Sequence, residues 1–532
     1  MTTQVLGRRR SLVLAACAGL WVATAAAQPA PDTRLPDAAM RRDLGTVRAL
    51  LRERADPNVR GAYETPALLW VVRVGDLPTV DALLAAGADP NLTAAHGVAA
   101  LHLAVENADL EVTRRLLDAG AAVDFADATG ETALFVAARV GAADVAKLLI
   151  ERGAEVDRHE PSYTQTPLHV ATRADSVAVA KLLVAYGADV NARTLAGDVP
   201  SVRMPSQNTG SKGLGINRGG VPDRGGRGPV QGAKTPLLYA TRVGSVEMTR
   251  LLLDAGADLE QTDENGIAPL LNTLLNASVG IQKGRTHHFG VAQLLIERGA
   301  NVNAGDWYGE TPLWAAVDVR NCDVDGATRD NGVDRAAALD TIAALLEHGA
   351  QPNARTKEYP PERRFITRLG SLAWVNFTGQ TPFLRAALAG DVTVMKLLLE
   401  HGADPNLATD EGTTPLMAAA GVNWVYNQTY DEGPDALLAA VDLTRSLGND
   451  VDAVNSMGLR AIHGAANRGS NAIVAYLAEH GARLDAADKQ GRTPEVWAEG
   501  VFLATHPPVR KPETLALLES LHRETGSAAD AD

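Results

Sequence analysis

The chain has 532 residues, 46% of them hydrophobic and 21% charged. That balance excludes wholesale disorder, and the length exceeds what one compact core needs. The formal charge is −14, or −17 without the three arginines of the first 27 residues, a poor basis for general binding to nucleic acid or anionic membrane. Two cysteines, Cys17 and Cys322, exclude a disulfide framework and a multi-cysteine metal site.

Arg8-Arg9-Arg10, the apolar run Leu12–Ala27 and the small residues Ala25-Ala26-Ala27 have the layout of a secretory signal over residues 1–27. The run holds 16 residues, fewer than the roughly 20 that span a bilayer, which disfavours an uncleaved anchor. Arg9-Arg10-Ser11-Leu12-Val13 also fits a twin-arginine export signal loosely. Leu14-Ala15-Ala16-Cys17 fits a lipoprotein box with a short apolar run, so anchoring through Cys17 is the minority alternative. The expectation is an exported chain, periplasmic or extracellular, with no membrane span after processing.

From Pro66 onward one phrase returns: Ala99-Ala100-Leu101-His102, Thr132-Ala133-Leu134, Thr166-Pro167-Leu168-His169, Thr235-Pro236-Leu237, Ala268-Pro269-Leu270, Thr311-Pro312-Leu313, Thr381-Pro382-Phe383, Thr414-Pro415-Leu416, Arg460-Ala461-Ile462-His463 and Thr493-Pro494. The anchors lie 33, 33, 34, 69, 33, 43, 70, 33, 46 and 33 residues apart, so the period is 33 with inserts. Threonine caps a helix N-terminus, and proline at the first helical position loses an amide that would be unpaired anyway. About ten residues on, a second apolar stretch such as Val145–Ile150 stops at a glycine suited to a left-handed C-cap: Gly87, Gly120, Gly153, Gly187, Gly256, Gly299, Gly349, Gly402, Gly448 and Gly481. Phrases such as Asp263-Glu264-Asn265-Gly266 follow and predict short hairpin fingers. Helix, turn, helix, finger is the unit.

These residues resemble the ankyrin repeat family from about Thr33 to Trp497. The fold expected is an all-α repeat solenoid of about twelve helix-turn-helix units with β-hairpin fingers, filling residues 28–500. The first unit has Arg54 where the glycine belongs, and the last is cut short after Thr493-Pro494. Thr514–Leu521 supplies a closing helix, and a disordered tail is expected from Arg523 to Asp532.

Inserts mark where a repeat array has been customised. Asp198–Lys234 lengthens one finger and carries Arg203, Lys212, Arg218, Arg224, Arg227 and Lys234. Arg355–Thr378 lengthens another and carries Arg355, Lys357, Arg363, Arg364 and Arg368 beside Tyr359, Phe365, Trp374 and Phe377. Basic loops on an acidic frame would steer a partner with an acidic patch. Asn276–His288, Asp318–Asp334 and Gly421–Pro434 fall between the helices of their units and should project from the opposite end.

The finger before Thr311 has Trp307 and Tyr308 at its tip, next to the inserted finger 355–378. Trp307, Tyr308, Tyr359, Arg363, Arg364, Phe365 and Trp374 therefore form the candidate partner site, being the residue types that dominate binding hot spots. The alternative is that the insert folds onto its neighbour and the aromatics only pack. Asn321, Asp323 and Asp325 match half a calcium loop, but its twelfth position is Gly332, where a glutamate is required, which favours a solvated turn. His102, His169 and His463 read as structural, His287-His288 as an exposed pair without a third ligand, and Cys322 as a thiol without an activating partner. Gly213–Gly219 lacks the spacing of a phosphate or dinucleotide loop, and no nucleophile elbow or zinc-protease motif occurs.

The expected function is a monomeric, non-catalytic protein-binding scaffold with no cofactor and no metal. The resemblance implies recognition through fingers and inner, concave helices. The alternatives are a secreted effector acting on another cell and, remotely, an enzyme hidden in the inserts.

Overall fold

The computed structural model describes residues 32–195, 232–282, 287–322, 333–357, 378–424, 429–430, 432–501 and 508–529. The expected signal segment lies outside them. Twenty-four α-helices are found among the described residues, and they pair into twelve units. The first six pairs are Arg34–Met40 with Leu44–Arg52, Ala67–Val74 with Leu77–Ala85, Ala100–Glu106 with Leu110–Asp118, Ala133–Val140 with Ala143–Glu151, Pro167–Arg173 with Val177–Ala185, and Pro236–Val243 with Val246–Asp254. The last six are Pro269–Gln282 with His288–Glu297, Pro312–Arg320 with Arg335–Glu347, Pro382–Ala389 with Val392–Glu400, Pro415–Ala420 with Pro434–Ser446, Ala461–Arg468 with Asn471–Glu479, and Pro494–Gly500 with Pro512–Ala529. First helices pack on first helices of the next unit and second on second, which makes an all-α solenoid of two layers. No described helix is long and apolar enough to cross a membrane.

Local chemistry sets the helix ends. The hydroxyls of Thr235, Thr311, Thr381 and Thr414 accept the amide three residues on, as the repeated phrase predicts. A second capping site escaped the sequence reading: Asp43, Asp76, Asp109, Asp334 and Asp391 cap the second helices in the same way. The glycine after each second helix has φ near +90°, and Arg54 holds the same left-handed conformation at φ 63° in unit one.

The fingers are hairpin-shaped turns closed by one amide–carbonyl bond, such as Asp127 N to Glu131 O at 3.0 Å. Isolated bridges occur at Arg60–Pro66 and Thr93–Ala99, and no regular strand is present among the described residues. The reason lies in the tip aspartates, which take the inner amides themselves: Asp127 Oδ1 accepts from Thr129 and Glu131. Fingers are laced along the stack by asparagines. Asn58, Asn91, Asn191, Asn303 and Asn353 each donate to a glycine carbonyl of the next unit and accept an amide two residues further on.

Among the described residues the apolar core holds two large clusters, one running from Leu35 to Ala257 and the other from Leu270 to Leu518, and a small one of Leu384, Leu388 and Ala418. Polar groups sit at the seam, which Val246 and Leu253 of unit six also cross. Asn272 Nδ2 donates to Leu238 O at 2.9 Å and Thr241 Oγ1 at 2.7 Å, and His288 Nε2 lies 3.3 Å from Arg242 O. His288 is thus buried beneath the Gly244 turn, which corrects its assignment as half of an exposed pair.

Two further expectations change at the ends of elements. The last unit is not cut short: its second helix, Pro512–Ala529, follows after residues 502–507 and packs on both helices before it. That helix runs through Arg523, where disorder was expected, because its buried Leu518 and the Thr514–Asn471 hydrogen bond anchor a segment rich in helix formers.

The inserts within units eight and ten meet. Cys322 bridges to Thr429, and Tyr430 N donates to Asn321 O at 3.1 Å. Beneath this junction Arg385, fully buried, donates to Asp318 at 2.5 Å and to Asn321 O at 2.7 Å. Arg320 pairs with Asp391 at 2.8 Å; Arg335 lies 3.6 Å from the same carboxylate, bonds Glu432 and stands over the Tyr430 ring. Burial lowers Arg385 to about 10 and lowers Arg335 as well, and both remain cations at neutral pH. Cys322 is buried in this junction.

Candidate functional site

Trp307 and Tyr308 sit at a finger tip built by Asp306, whose Oδ1 accepts the amides of Tyr308 and Glu310 at 2.9 Å each. Gly309 turns the chain at φ 79°, and a Cβ there would stand 2.9 Å from Arg355 O and from Lys357 N. Only glycine lets the next finger approach so closely. Burial pushes the Asp306 carboxyl up to about 6 against the two amides it accepts, and the charge of Asp263 adds to the rise.

Trp307 leans over Gly266 of the preceding finger, where an added Cβ would meet its ring at 2.8 Å, and its amide donates to Asn265 O. It nevertheless stays 58% exposed, a large apolar surface left to solvent. Packing and display therefore share one side chain. Tyr308 is half-buried, and its carbonyl accepts Lys357 N at 2.7 Å. This bond brings the root of the inserted finger against the Trp307–Tyr308 tip, as the order of the units predicts. Tyr359, Arg363, Arg364, Phe365 and Trp374 lie outside the described residues, as do Asp323 and Asp325.

Asn321 is buried at the end of its helix, where its Nδ2 donates to Val317 O at 3.0 Å. No group of three or more metal-ligating side chains is found among the described residues.

Both inserted fingers share a root that the sequence reading missed. Thr194 and Thr356 each accept, on Oγ1, the amide of the residue that closes the finger, Lys234 and Gln380. The arginine before each threonine reaches the next finger: Arg193 donates to Thr262 O at 2.8 Å, and Arg355 to Ala408 O at 3.0 Å. The signal was present twice, as Asn191-Ala192-Arg193-Thr194 and Asn353-Ala354-Arg355-Thr356. Two of the cations counted as display are consequently structural. Lys234 makes a buried pair with Asp263 at 3.0 Å, and Arg355 pairs with Asp410 at 2.7 Å. The opposite sign of the neighbouring finger tip recruits them.

The three phrase histidines bond between units as expected. His169 Nδ1 accepts Thr166 N at 3.1 Å, so Nε2 carries the proton and donates to Ala192 O and Lys234 O at 3.1 Å. Burial lowers His169 to about 4. Between the unfolded value near 6.5 and that value, the unfolded chain holds a proton the folded chain refuses, so stability falls as pH falls. The loss should approach about 3 kcal/mol by pH 4, read from urea midpoints at pH 7 and pH 4, and His169→Gln should remove it. Equal pH slopes for the two proteins would refute that assignment.

Comparison with known proteins is consistent in one respect. Family models described as "Ankyrin repeats (3 copies)" match residues 35–127, 101–194 and 335–427, and one described as "Ankyrin repeat" matches 234–264, together a little over half the chain. The chain is 41% identical over 98 residues to inactive serine/threonine-protein kinase TEX14 of Bos taurus, covering 18% of this chain and 6% of that protein. It is 34% identical over 120 residues to B-cell lymphoma 3 protein homolog of Mus musculus, covering 22% of this chain and 25% of that one. It thus spans a quarter or less of either relative. A crystal structure of the human ASB11 ankyrin repeat domain aligns at 22% identity with a TM-score of 0.37, over 50% of this chain and 98% of that chain.

Proposed function

The chain belongs to the ankyrin repeat family, and from that premise we propose that it is a non-catalytic protein-binding scaffold acting in the periplasm or outside the cell. It takes its partner on the first-helix face and along the lengthened fingers. One observation carries the finger assignment: Trp307, more than half exposed, stands at a tip held against the root of the inserted finger 355–378. Exposed tryptophan beside arginine and tyrosine is the composition of a binding hot spot. Export rests on the layout of residues 1–27. The reading assigns no catalytic group and no cofactor.

Affinity capture from the envelope fraction and culture supernatant of the source cell tests it, with the chain and its Trp307→Ala variant side by side. Trp307→Ala should weaken retention of the captured protein by about 2 kcal/mol, roughly thirtyfold, with helical content unchanged. Unchanged retention moves the site away from this finger. A chain that retains nothing from either fraction sinks the scaffold reading.

A further inference from the structure

The first helices of units two to six carry an exposed charged residue seven positions after the start of the repeated phrase: Arg73, Glu106, Arg139, Arg173 and Arg242. Their counterpart in unit nine is Leu388, and it is 3% exposed. The helix Pro382–Ala389 has two apolar faces. Phe383, Ala386 and Ala387 join the large C-terminal cluster, while Leu384 and Leu388, four residues apart, form the small one with Ala418 of unit ten. This second face is the one that meets solvent through the charged residues of units two to six. Here it is closed: every residue of the first helices of units eight, nine and ten is buried.

Trp424 covers the small cluster. Its indole packs on Leu384, Leu388 and Ala418, and the Arg468 guanidinium stands 5.1 Å from its ring centroid. Arg468 is fixed there by two backbone carbonyls: Nη1 donates to Ala419 O at 3.1 Å and Nη2 to Leu388 O at 3.2 Å. Trp424 belongs to the insert of unit ten, and two glycines let the root of that insert lie on unit eleven. Gly421 has φ 116°, and a Cβ on Gly464 would stand 2.5 Å from Val422 N and 2.8 Å from Gly421 C. Sister helices carry Trp70, Val136, Tyr239 and Arg385 where unit eleven has Gly464. Trp424 is only half-buried while both leucines beneath it are closed off, so it is a cover and not part of the core.

We propose that Leu384, Leu388, Ala418 and Arg468 form an indole pocket on the first-helix face, which the chain keeps closed with its own Trp424 and yields to a tryptophan of the partner protein. This inference rests on the scaffold reading and names a second site within it. The seated side chain states the chemistry. An apolar floor takes the ring, and the cation over its π face adds an attraction that an aliphatic side chain lacks. The cover also accounts for the leucines, since an open apolar patch is what soluble proteins avoid outside a binding site. A segment of the same chain competes at an effective concentration of about a millimolar or more. A weak partner is therefore refused, and one that also grips the fingers gains entry.

The test uses the full chain and two acetylated tetrapeptides, Gly-Val-Asn-Trp, which is the chain's own Gly421–Trp424, and Gly-Val-Asn-Ala. Both are titrated by saturation-transfer NMR. Trp424→Ala empties the pocket, and Gly464→Ala pushes the root of the insert off unit eleven while leaving every pocket residue in place. Each variant should bind the tryptophan peptide at least about tenfold more tightly than the native chain, which must first give up its own indole. None should bind the alanine peptide. Adding Leu388→Arg, the residue type of four sister units, to Trp424→Ala should abolish binding. Circular dichroism checks folding, and if Trp424→Ala unfolds, Gly464→Ala decides. A folded variant without the gain, equal binding of both peptides, or binding that survives Leu388→Arg overturns the proposal. The titration needs no partner, so its outcome separates from that of the scaffold reading. No gain with intact Trp307-dependent capture removes the pocket alone, and failed capture with the gain present removes the finger site alone.

Discussion

Replacing Asp391 by alanine will destabilise the C-terminal half of the solenoid by about 3–5 kcal/mol, the largest single-residue effect expected outside the helix backbone. Asp391 is buried, accepts Arg320 Nε at 2.8 Å, faces Arg335 at 3.6 Å, and caps its own helix by accepting Val394 N. Its removal leaves Arg320, itself buried, without its carboxylate, and the lost cap adds about 1 kcal/mol. Asp391→Asn keeps a cap acceptor but not the charge, so it should recover only about that last 1 kcal/mol. Urea denaturation followed by circular dichroism measures both variants. A loss below about 1 kcal/mol for Asp391→Ala would mean that the cluster is solvated and does not hold the two inserts together.

The second large effect follows from the break in the core. Leu148 lies inside the helix Ala143–Glu151 and is buried in the N-terminal half. Proline there removes a backbone hydrogen bond and clashes with the preceding turn, at a cost of about 3 kcal/mol or more. In a solenoid each unit is held only by its neighbours, so damage spreads as far as the coupling between units allows. The two large apolar clusters divide near unit seven, where hydrogen bonds of Asn272, Thr241 and His288 lie beside the few apolar contacts that cross, those of Val246 and Leu253. Leu148→Pro should therefore lower one melting transition while a second, belonging to residues beyond Leu270, stays in place. Calorimetry reports the two transitions, and hydrogen exchange assigns them to segments. A single transition moved as a whole would show that the seam transmits cooperativity as well as the apolar core does, and one not moved at all would refute the cost assigned to the proline.

Much of the architecture is legible in the chain because its causes are local and repeated. Thr311 caps the helix that starts at Pro312, and Gly349 takes a left-handed turn, through interactions spanning a few residues. His102, His169 and His463, at the same place in the phrase, each bond a carbonyl of the following finger. A period of 33 multiplies each such signal until chance is excluded. The Trp307–Tyr308 tip was legible for the same reason, since unit order alone puts it next to the finger that begins at Arg355.

The inserts carry no such repetition, and there the tertiary structure decides. Asp318 and Arg385 stand 67 positions apart, and Arg335 and Glu432 stand 97 apart; no period relates either pair. Lys234 and Arg355 look like free cations in sequence and become structural because the next finger offers Asp263 and Asp410. His288 looks exposed beside His287 and is buried because the turn at Gly244 closes over it. The sequence by itself determined the unit, its caps and the order of the stack, all set by neighbours along the chain. Which inserted residues meet, and which charges remain free to bind, depended on distances that only the packed solenoid establishes.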